Sequence, residues 1–324
     1  MNSPGPAILP IDIDADPRFE AALRILDTGR PWYPQTPDDY REFRRFGEGL
    51  PHADHVAIGQ DGDVVGWVSV SQNKYEVVPG KFNVEVAVAP EHRHRGIGQA
   101  LLDHAEHVVR ALGGDHMVSW VDRHDPAWSD WAGRRGFECT QVLCDVVLDP
   151  AEASVPSPGE LAERAEALGV RIATFGELDA ALPDARRRFH ALTEKLKHDV
   201  PSPDPMPDLA YEDFLKTFES PLRIPEAQFI ALRGETWVGL STLWRRGADR
   251  VLLTGFTGIE RSERGRGLAT LLKWHAVRYA KASGAPHVIT DNAEENAPMR
   301  AINARVGFRP LPGTWRMERA IGGG

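Results

Sequence analysis

Apolar residues recur along this chain at two spacings, and each change of spacing marks a change of predicted element. An apolar stretch from Ala7 to Ile13 precedes helix-spaced patterns around Phe19 to Leu26 and Asp38 to Phe46. His55 to Ile58 and Val64 to Val70 read as a hairpin that turns at Asp61-Gly62. Phe82 to Ala89 is a further strand, stopped by Pro90. Ile97, Leu101, Ala105, Val108 and Leu112 then form one stripe of a helix predicted over Gly96 to Leu112. A strand at Met117 to Val121, a short helix at Pro126 to Arg135 ended by Gly136, and a strand at Phe137 to Leu148 complete the first half.

Residues 149 to 160 carry Pro150, Pro156 and Pro158 with Ser and Gly, which is linker composition, and Glu160 to Leu168 reads as a helical lead-in. The order of elements then repeats. Arg171 to Phe175 is a strand, followed by helices near Ala180 to Lys197 and Leu209 to Phe218, with the proline-rich loop Val200 to Pro207 between them. Phe229 to Leu232 and Trp237 to Trp244 form a hairpin turning near Gly234-Glu235. Strand Val251 to Ile259, helix Gly267 to Ala282, strand His287 to Thr290, helix Ala297 to Val306 and a strand from Phe308 follow, with a frayed tail at Gly322 to Gly324. Each half is therefore an α+β domain, with several antiparallel strands before one strand–helix–strand unit. The expected division is 1–149, a linker 150–167, and 168–324.

The two halves also share residues. Arg93-His94-Arg95-Gly96-Ile97-Gly98 returns 171 positions later as Arg264-Gly265-Arg266-Gly267-Leu268-Ala269. The same offset pairs Leu101 with Leu272, His104 with His275, Gly113 with Gly284 and Gly136-Phe137 with Gly307-Phe308. A period this long is that of a duplicated domain, not a solenoid.

Composition narrows the function classes. The net charge of −9 disfavours a nucleic-acid partner, which needs clustered positive charge. No apolar run is long enough to span a membrane, and the first ten residues lack a secretory signal pattern. Cys139 and Cys144 are five apart on one predicted strand, hence on opposite faces, so no disulfide is expected and a reducing cytoplasm is the natural location.

The repeated hexapeptide carries chemistry. A strand ends, the chain turns tightly, and a helix begins with unpaired amides and the positive end of its dipole, which suits a phosphate or pyrophosphate. Gly96, Gly98 and Gly267 let a ligand approach the backbone, Ala269 is a small replacement, and Arg93, Arg95, Arg264 and Arg266 add charge. A P-loop is excluded, because no Gly-Lys-Ser/Thr end follows either turn. A dinucleotide fingerprint fails at Thr270, where its last glycine belongs.

Preceded by Val86-Ala87-Val88-Ala89-Pro90 and followed 43 residues later by Gly-Phe, the Arg-x-x-Gly-x-Gly/Ala pattern resembles the GNAT superfamily of acyl-CoA-dependent acetyltransferases in both halves. The second half adds Thr290, Asn292, Asn296, Met299, Ile302 and Asn303 before Gly307-Phe308, a pattern similar to tandem bacterial members such as the mycothiol synthases. The resemblance implies two mostly antiparallel mixed sheets with flanking helices, each with a splayed central pair of parallel strands. Acetyl-CoA, or another acyl-CoA, would be co-substrate, with no metal. Its pyrophosphate would lie on the amides of Arg95, Gly96, Ile97 and Gly98, and of Arg266, Gly267, Leu268 and Ala269. Its pantetheine arm would run along Val86 to Val88, and along Thr257 to Ile259. Asn296 would contact the cofactor; its first-half counterpart is Asp125.

The resemblance further implies acetyl transfer to a small-molecule amine by direct attack, since no Cys or Ser lies in a nucleophile motif. A backbone amide near Val88 or Ile259 would stabilise the oxyanion. The tyrosine that many members place four residues before Gly-Phe is absent: Ala132 and Asn303 stand there. Asn303 would then orient water or CoA. Glu85, Asp291 and Glu294 are the candidate bases. The rival reading is a non-catalytic acyl-CoA-binding sensor, or one catalytic half with one structural CoA-binding half. A monomer built as a pseudo-dimer, or a homodimer, is expected. His104 with His107, and His190, Glu194 and His198, read as polar helix faces before they read as metal or substrate sites. Trp128 and Trp131, at helix spacing, read as packing, and the loops Gly29 to Thr36 and Val200 to Pro207 read as acceptor loops.

Overall fold

The periodicities fold much as they read. A computed structural model describes residues 5–30, 32–33, 35–72, 78–248 and 250–322, so the last two glycines of the predicted tail lie outside the described residues. The first half runs β1 (Ala7–Pro10), α1 (Arg18–Asp27), α2 (Pro37–Arg45), β2 (His52–Ile58), β3 (Val64–Ser71), β4 (Lys81–Val88), α3 (Ile97–Ala111), β5 (His116–Asp122), α4 (Pro126–Gly133) and β6 (Glu138–Leu148). The second runs α5 (Pro158–Ala167), β7 (Arg171–Thr174), α6 (Phe175–Ala181), α7 (Ala185–Lys197), α8 (Tyr211–Lys216), β8 (Arg223–Arg233), β9 (Thr236–Arg246), β10 (Val251–Ile259), α9 (Leu268–Ala282), β11 (Val288–Ala293), α10 (Ala297–Val306), β12 (Arg309–Pro310) and β13 (Thr314–Ala320).

Three elements differ from expectation, each for a local reason. The helix predicted to Lys197 is two helices, because Leu182 is extended ahead of Pro183, as a residue before proline prefers. β8 starts at Arg223, well before Phe229; Pro225 and Glu226 fall in a register irregularity that breaks its alternation. The closing strand is split, with Leu311-Pro312-Gly313 between β12 and β13.

The chain divides into two compact units, and the closing strands are exchanged between the halves. One unit holds Met1–Val142, Pro203–Pro207 and Thr314–Gly324; the other holds Leu143–Ser202 and Asp208–Gly313. In the first, the strand order is β1-β2-β3-β4-β5-β13-β6, so the last strand of the chain lies antiparallel to β5, from Thr314↔Asp122 to Ala320↔His116. In the second, Leu143–Leu148 of β6 pair antiparallel with β11, in the order β6-β11-β10-β9-β8-β7. β4 with β5 and β10 with β11 are parallel, whereas β1 with β2, β2 with β3, β3 with β4, β5 with β13, β6 with β11, β7 with β8, β8 with β9 and β9 with β10 are antiparallel.

Each sheet is covered on both faces. Leu101, Leu102, Ala105 and Val109 of α3 pack on Phe82, Val84 and Met117, while Phe19, Leu23 and Leu26 of α1 pack on Val56 and Trp67. In the second unit Leu271, Leu272, Ala276 and Val277 of α9 cover Leu243, Leu252 and Val288, and Phe189, Leu192 and Leu196 of α7 cover Ile230 and Leu240. Burying each large side chain contributes about 1.5–3 kcal/mol.

A glycine on the neighbouring strand makes room for Leu101 of α3 in the first unit and for Ile259 of β10 in the second. A Cβ on Gly66 would lie 2.8 Å from Leu101, and one on Gly239 would lie 2.5 Å from Ile259, 3.1 Å from the Gly258 carbonyl and 3.5 Å from Leu272. Leu101 and Leu272 are repeat equivalents. Gly239→Val should therefore destabilise by about 1–3 kcal/mol through overpacking, read as a lower urea midpoint at unchanged slope. An unchanged midpoint would mean that the Ile259 side chain shifts aside without cost.

Candidate active site

Both parallel pairs come apart halfway. β4 and β5 are paired at Lys81↔His116, Phe82↔Met117 and Asn83↔Val118, and β10 and β11 at Leu252↔Val288 and Leu253↔Ile289. Beyond those rungs the inner edges separate, although the outer edges stay paired. β4 follows β3 to Gly66↔Val88, β10 follows β9 to Ile259↔Gly239, and β11 follows β6 to Ala293↔Leu143. Each gap thus has two rigid walls whose inner N–H and C=O groups can accept an extended, amide-bearing guest as an added strand. A bulge in β10 between Thr254 and Phe256 lies at the start of the second gap.

Each gap leads to the start of a helix. Gly96 and Gly267 are the N-cap residues of α3 and α9, at φ of 84° and 88°, and no side chain caps either helix. The first-turn amides are therefore open, and a Cβ on either glycine would meet nothing within 4 Å. That space and those donors fit a pyrophosphate. Gly265 is also left-handed, and His94 takes the same conformation at φ 61°, where a side chain carries some strain. A Cβ on Gly98 would make ordinary contacts, 3.5 Å from Trp131 and 3.6 Å from Val88, in keeping with Ala269 at the repeat position.

The four arginines divide into two kinds. Arg93 donates from Nε to the Val88 carbonyl at 3.1 Å, and Arg264 donates from Nε to the Ile259 carbonyl at 3.0 Å. The first arginine of each motif thus secures the end of the gap strand. Arg264 and Arg261 also pair with Asp199, whose carboxyl they hold below its ordinary pKa. Arg95 and Arg266 are exposed, the latter 3.4 Å from Glu263, which Arg233 grips at 2.6 Å.

The predicted catalytic side chains fall in different settings. Glu85 is in an ion pair with Arg30 at 2.8 Å. It lies in a cross-strand row with Ser69 and Asp54, beside Tyr40 and Arg44; Asp54 pairs with Arg44. Burial, with the charges of Asp54 and Glu85, drives the Tyr40 phenol far above its ordinary pKa. Asp291 stands on β11 opposite Asp145 of β6. Its carboxyl is held up by loss of solvation, against its own backbone hydrogen bond and the Lys273 charge, although the residue as a whole is exposed at the surface. Glu294 is exposed, and its backbone carbonyl accepts from Arg300. Asn303 is 1% exposed and donates from Nδ2 to Asn292 Oδ1 at 2.6 Å. Asn296 caps α10 by accepting from the Met299 amide, and Asp125 caps α4 in the same way from Ala127.

Side chains singled out in the sequence also find structural partners. His190 Nε2 and the Glu194 carboxylate engage the carbonyl and amide of Leu209, at 2.7 Å each, and His198 pairs with Asp208, so this face of α7 fastens a loop. Trp128 lies under Arg93, 5.6 Å from Cζ to the ring centre, and 3.6 Å from where a Cβ on Gly29 would be. His104 packs edge-on against His55 at 4.3 Å. Cys139 and Cys144 are both free.

One residue escaped the pattern: Lys273, on α9, is 2% exposed. Burial lowers its ammonium pKa to about 7, with Asp291 opposing. Its repeat equivalent, Leu102, was the signal that could have found it.

Comparison with known proteins accords with this geometry. The family model for the acetyltransferase (GNAT) family matches residues 19–137 and again 189–308. A mycothiol acetyltransferase of Catenulispora acidiphila is 27% identical over 260 residues, 77% of this chain and 75% of that protein. A streptothricin acetyltransferase of Streptomyces lavendulae is 34% identical over 105 residues, 31% of this chain and 53% of that protein. A tandem GNAT protein from the clavulanic acid biosynthesis pathway superposes with a TM-score of 0.73 at 21% identity, covering 98% of this chain and 99% of that one. The chain therefore belongs to the GNAT family: it is an N-acetyltransferase with two GNAT domains in tandem, and its family uses acetyl-CoA.

Proposed function

We propose that this chain transfers an acetyl group from acetyl-CoA to the amine of a small molecule, by direct attack within a ternary complex, and that turnover occurs in the second half. The observation that carries the reading is the gap between β10 and β11, walled by held strands and leading to the uncapped first turn of α9. In this reading the pyrophosphate rests on the amides of Arg266 to Ala269, and the pantetheine arm adds as a strand along Thr257 to Ile259. Asp291 takes the proton of the attacking amine; its raised pKa makes it a stronger base than an ordinary carboxylate. Glu294 is the alternative base at this cleft. Asn303 acts through Asn292, fixing an amide beside the cleft.

The first half is read as a copy with a binding role only. Glu85, its candidate base, is neutralised by Arg30, and Trp128 lies across Arg93. A small acceptor is supported by the kinds of molecule named for the similar acetyltransferases.

The test is thiol release from acetyl-CoA across a panel of small amines, alongside calorimetry with CoA. Acetylated amine and CoA thiol should appear in equal amounts. Binding without turnover would favour the sensor reading, and no heat at millimolar CoA would sink both.

A further inference from the structure

Lys273 is a cation placed where the repeat has an apolar side chain. Leu102, 171 positions earlier, is 2% exposed and belongs to the first core. A buried ammonium costs several kcal/mol unless its surroundings compensate. Here compensation is thin: Nζ is 3.5 Å from Thr254 Oγ1 and 5.4 Å from the centre of the Phe308 ring.

The position of Lys273 is specific. Thr254 follows Leu253, the last residue of β10 paired with β11, so the Lys273 amine sits at the apex of the gap. Asn292 hydrogen bonds Asn303 of α10, which puts Asn292 on the helix-covered face and its neighbour Asp291 on the other. Asp291 is the charged group whose field reaches Lys273. A base and a proton donor thus stand on opposite sides of one opening.

We infer that Lys273 is a catalytic residue, whose ammonium protonates the CoA sulfur as the thioester breaks; this rests on the second-half reading above. The acceptor nitrogen bonds to the thioester carbon, and its surplus proton passes to Asp291. The carbon–sulfur electron pair leaves on sulfur, which takes a proton from Lys273. Lys273 regains a proton from Asp291 or water, so amine plus thioester becomes amide plus thiol with no net proton change. A thiolate formed in a desolvated gap is costly, and an adjacent cation lowers that cost in the transition state. Asn303 has no acidic proton to give. The Lys273 pKa of about 7 leaves both forms populated near neutrality, as a proton donor needs.

The test compares Lys273→Met and Lys273→Leu with the unsubstituted protein. Both should bind acetyl-CoA within about threefold of it by calorimetry, while kcat at neutral pH falls about 10²–10⁴-fold. Both should raise the thermal midpoint, because a buried charge is removed. The pH profile should lose a falling limb with an inflection near the Lys273 pKa of about 7. Unchanged kcat and pH profile in either variant would overturn the inference. So would a lowered midpoint with matching loss of binding, which marks a structural lysine. Failure of the unsubstituted protein to bind acetyl-CoA would instead overturn the second-half reading.

Discussion

Gly267→Glu should cut acetyl-CoA turnover by about a thousandfold or more, roughly 4 kcal/mol of transition-state stabilisation, while Gly96→Glu leaves it within a few-fold. Gly267 is left-handed at φ 88°, and a side chain there costs about 1–2 kcal/mol locally. No neighbour lies within 4 Å of the added Cβ, so the fold tolerates the change. The new carboxylate, however, stands before the open amides of the first turn of α9, where it competes with the pyrophosphate and repels it. The same logic at Gly96 removes only the first site, which the proposed function treats as non-catalytic. Thiol-release kinetics, with circular dichroism as a folding control, reads both variants. Loss of turnover in Gly96→Glu with Gly267→Glu active would move the chemistry to the first half.

Local signals explain what was legible beforehand. The strand, turn and helix of each motif were readable because their period and glycines are set within some twenty residues, and the 171-residue repeat checked each half against the other. The strand exchange was not readable. β6 and β13 read as strands like any other, and a strand pattern in the sequence does not say which sheet receives the strand. Glu85 reads as a candidate base because its partner Arg30 is 55 positions away and leaves no local signal. The motif arginines read alike, yet Arg93 and Arg264 turn back to strand carbonyls, a geometry fixed only once the turn has formed. Lys273 falls among leucines on a helix, where a lysine ordinarily extends to solvent; only the fold, which brings Thr254 of β10 and Phe308 to it, makes it buried.

Asp204→Ala should destabilise the first unit by about 3–5 kcal/mol, the range for removing one partner of a buried ion pair. Its loop, Val200 to Pro207, read as an acceptor loop, yet Pro203–Pro207 pack in the first unit, and Asp204 joins a charge network there. Lys81 Nζ reaches Asp204 at 2.7 Å and Glu318 at 2.7 Å, and Arg316 pairs with both carboxylates. Arg316 is 1% exposed, so losing Asp204 leaves it with Glu318 and the Thr140 hydroxyl, sharing that carboxylate with Lys81. Burial pushes the Asp204 carboxyl up, but Lys81 and Arg316 outweigh it and hold the pKa below its ordinary value. A depressed folded pKa means that the stabilisation is complete above the unfolded carboxyl pKa of about 3.9 and fades as pH falls through the folded value. The gap between the unsubstituted protein and Asp204→Ala should therefore be full at neutral pH and shrink in acid. Urea melts at several pH values measure it, with Asp208→Ala, which breaks the exposed pair with His198, as a nearly silent control. A gap that stays constant into strong acid would show that Asp204 stabilises by packing and not by charge.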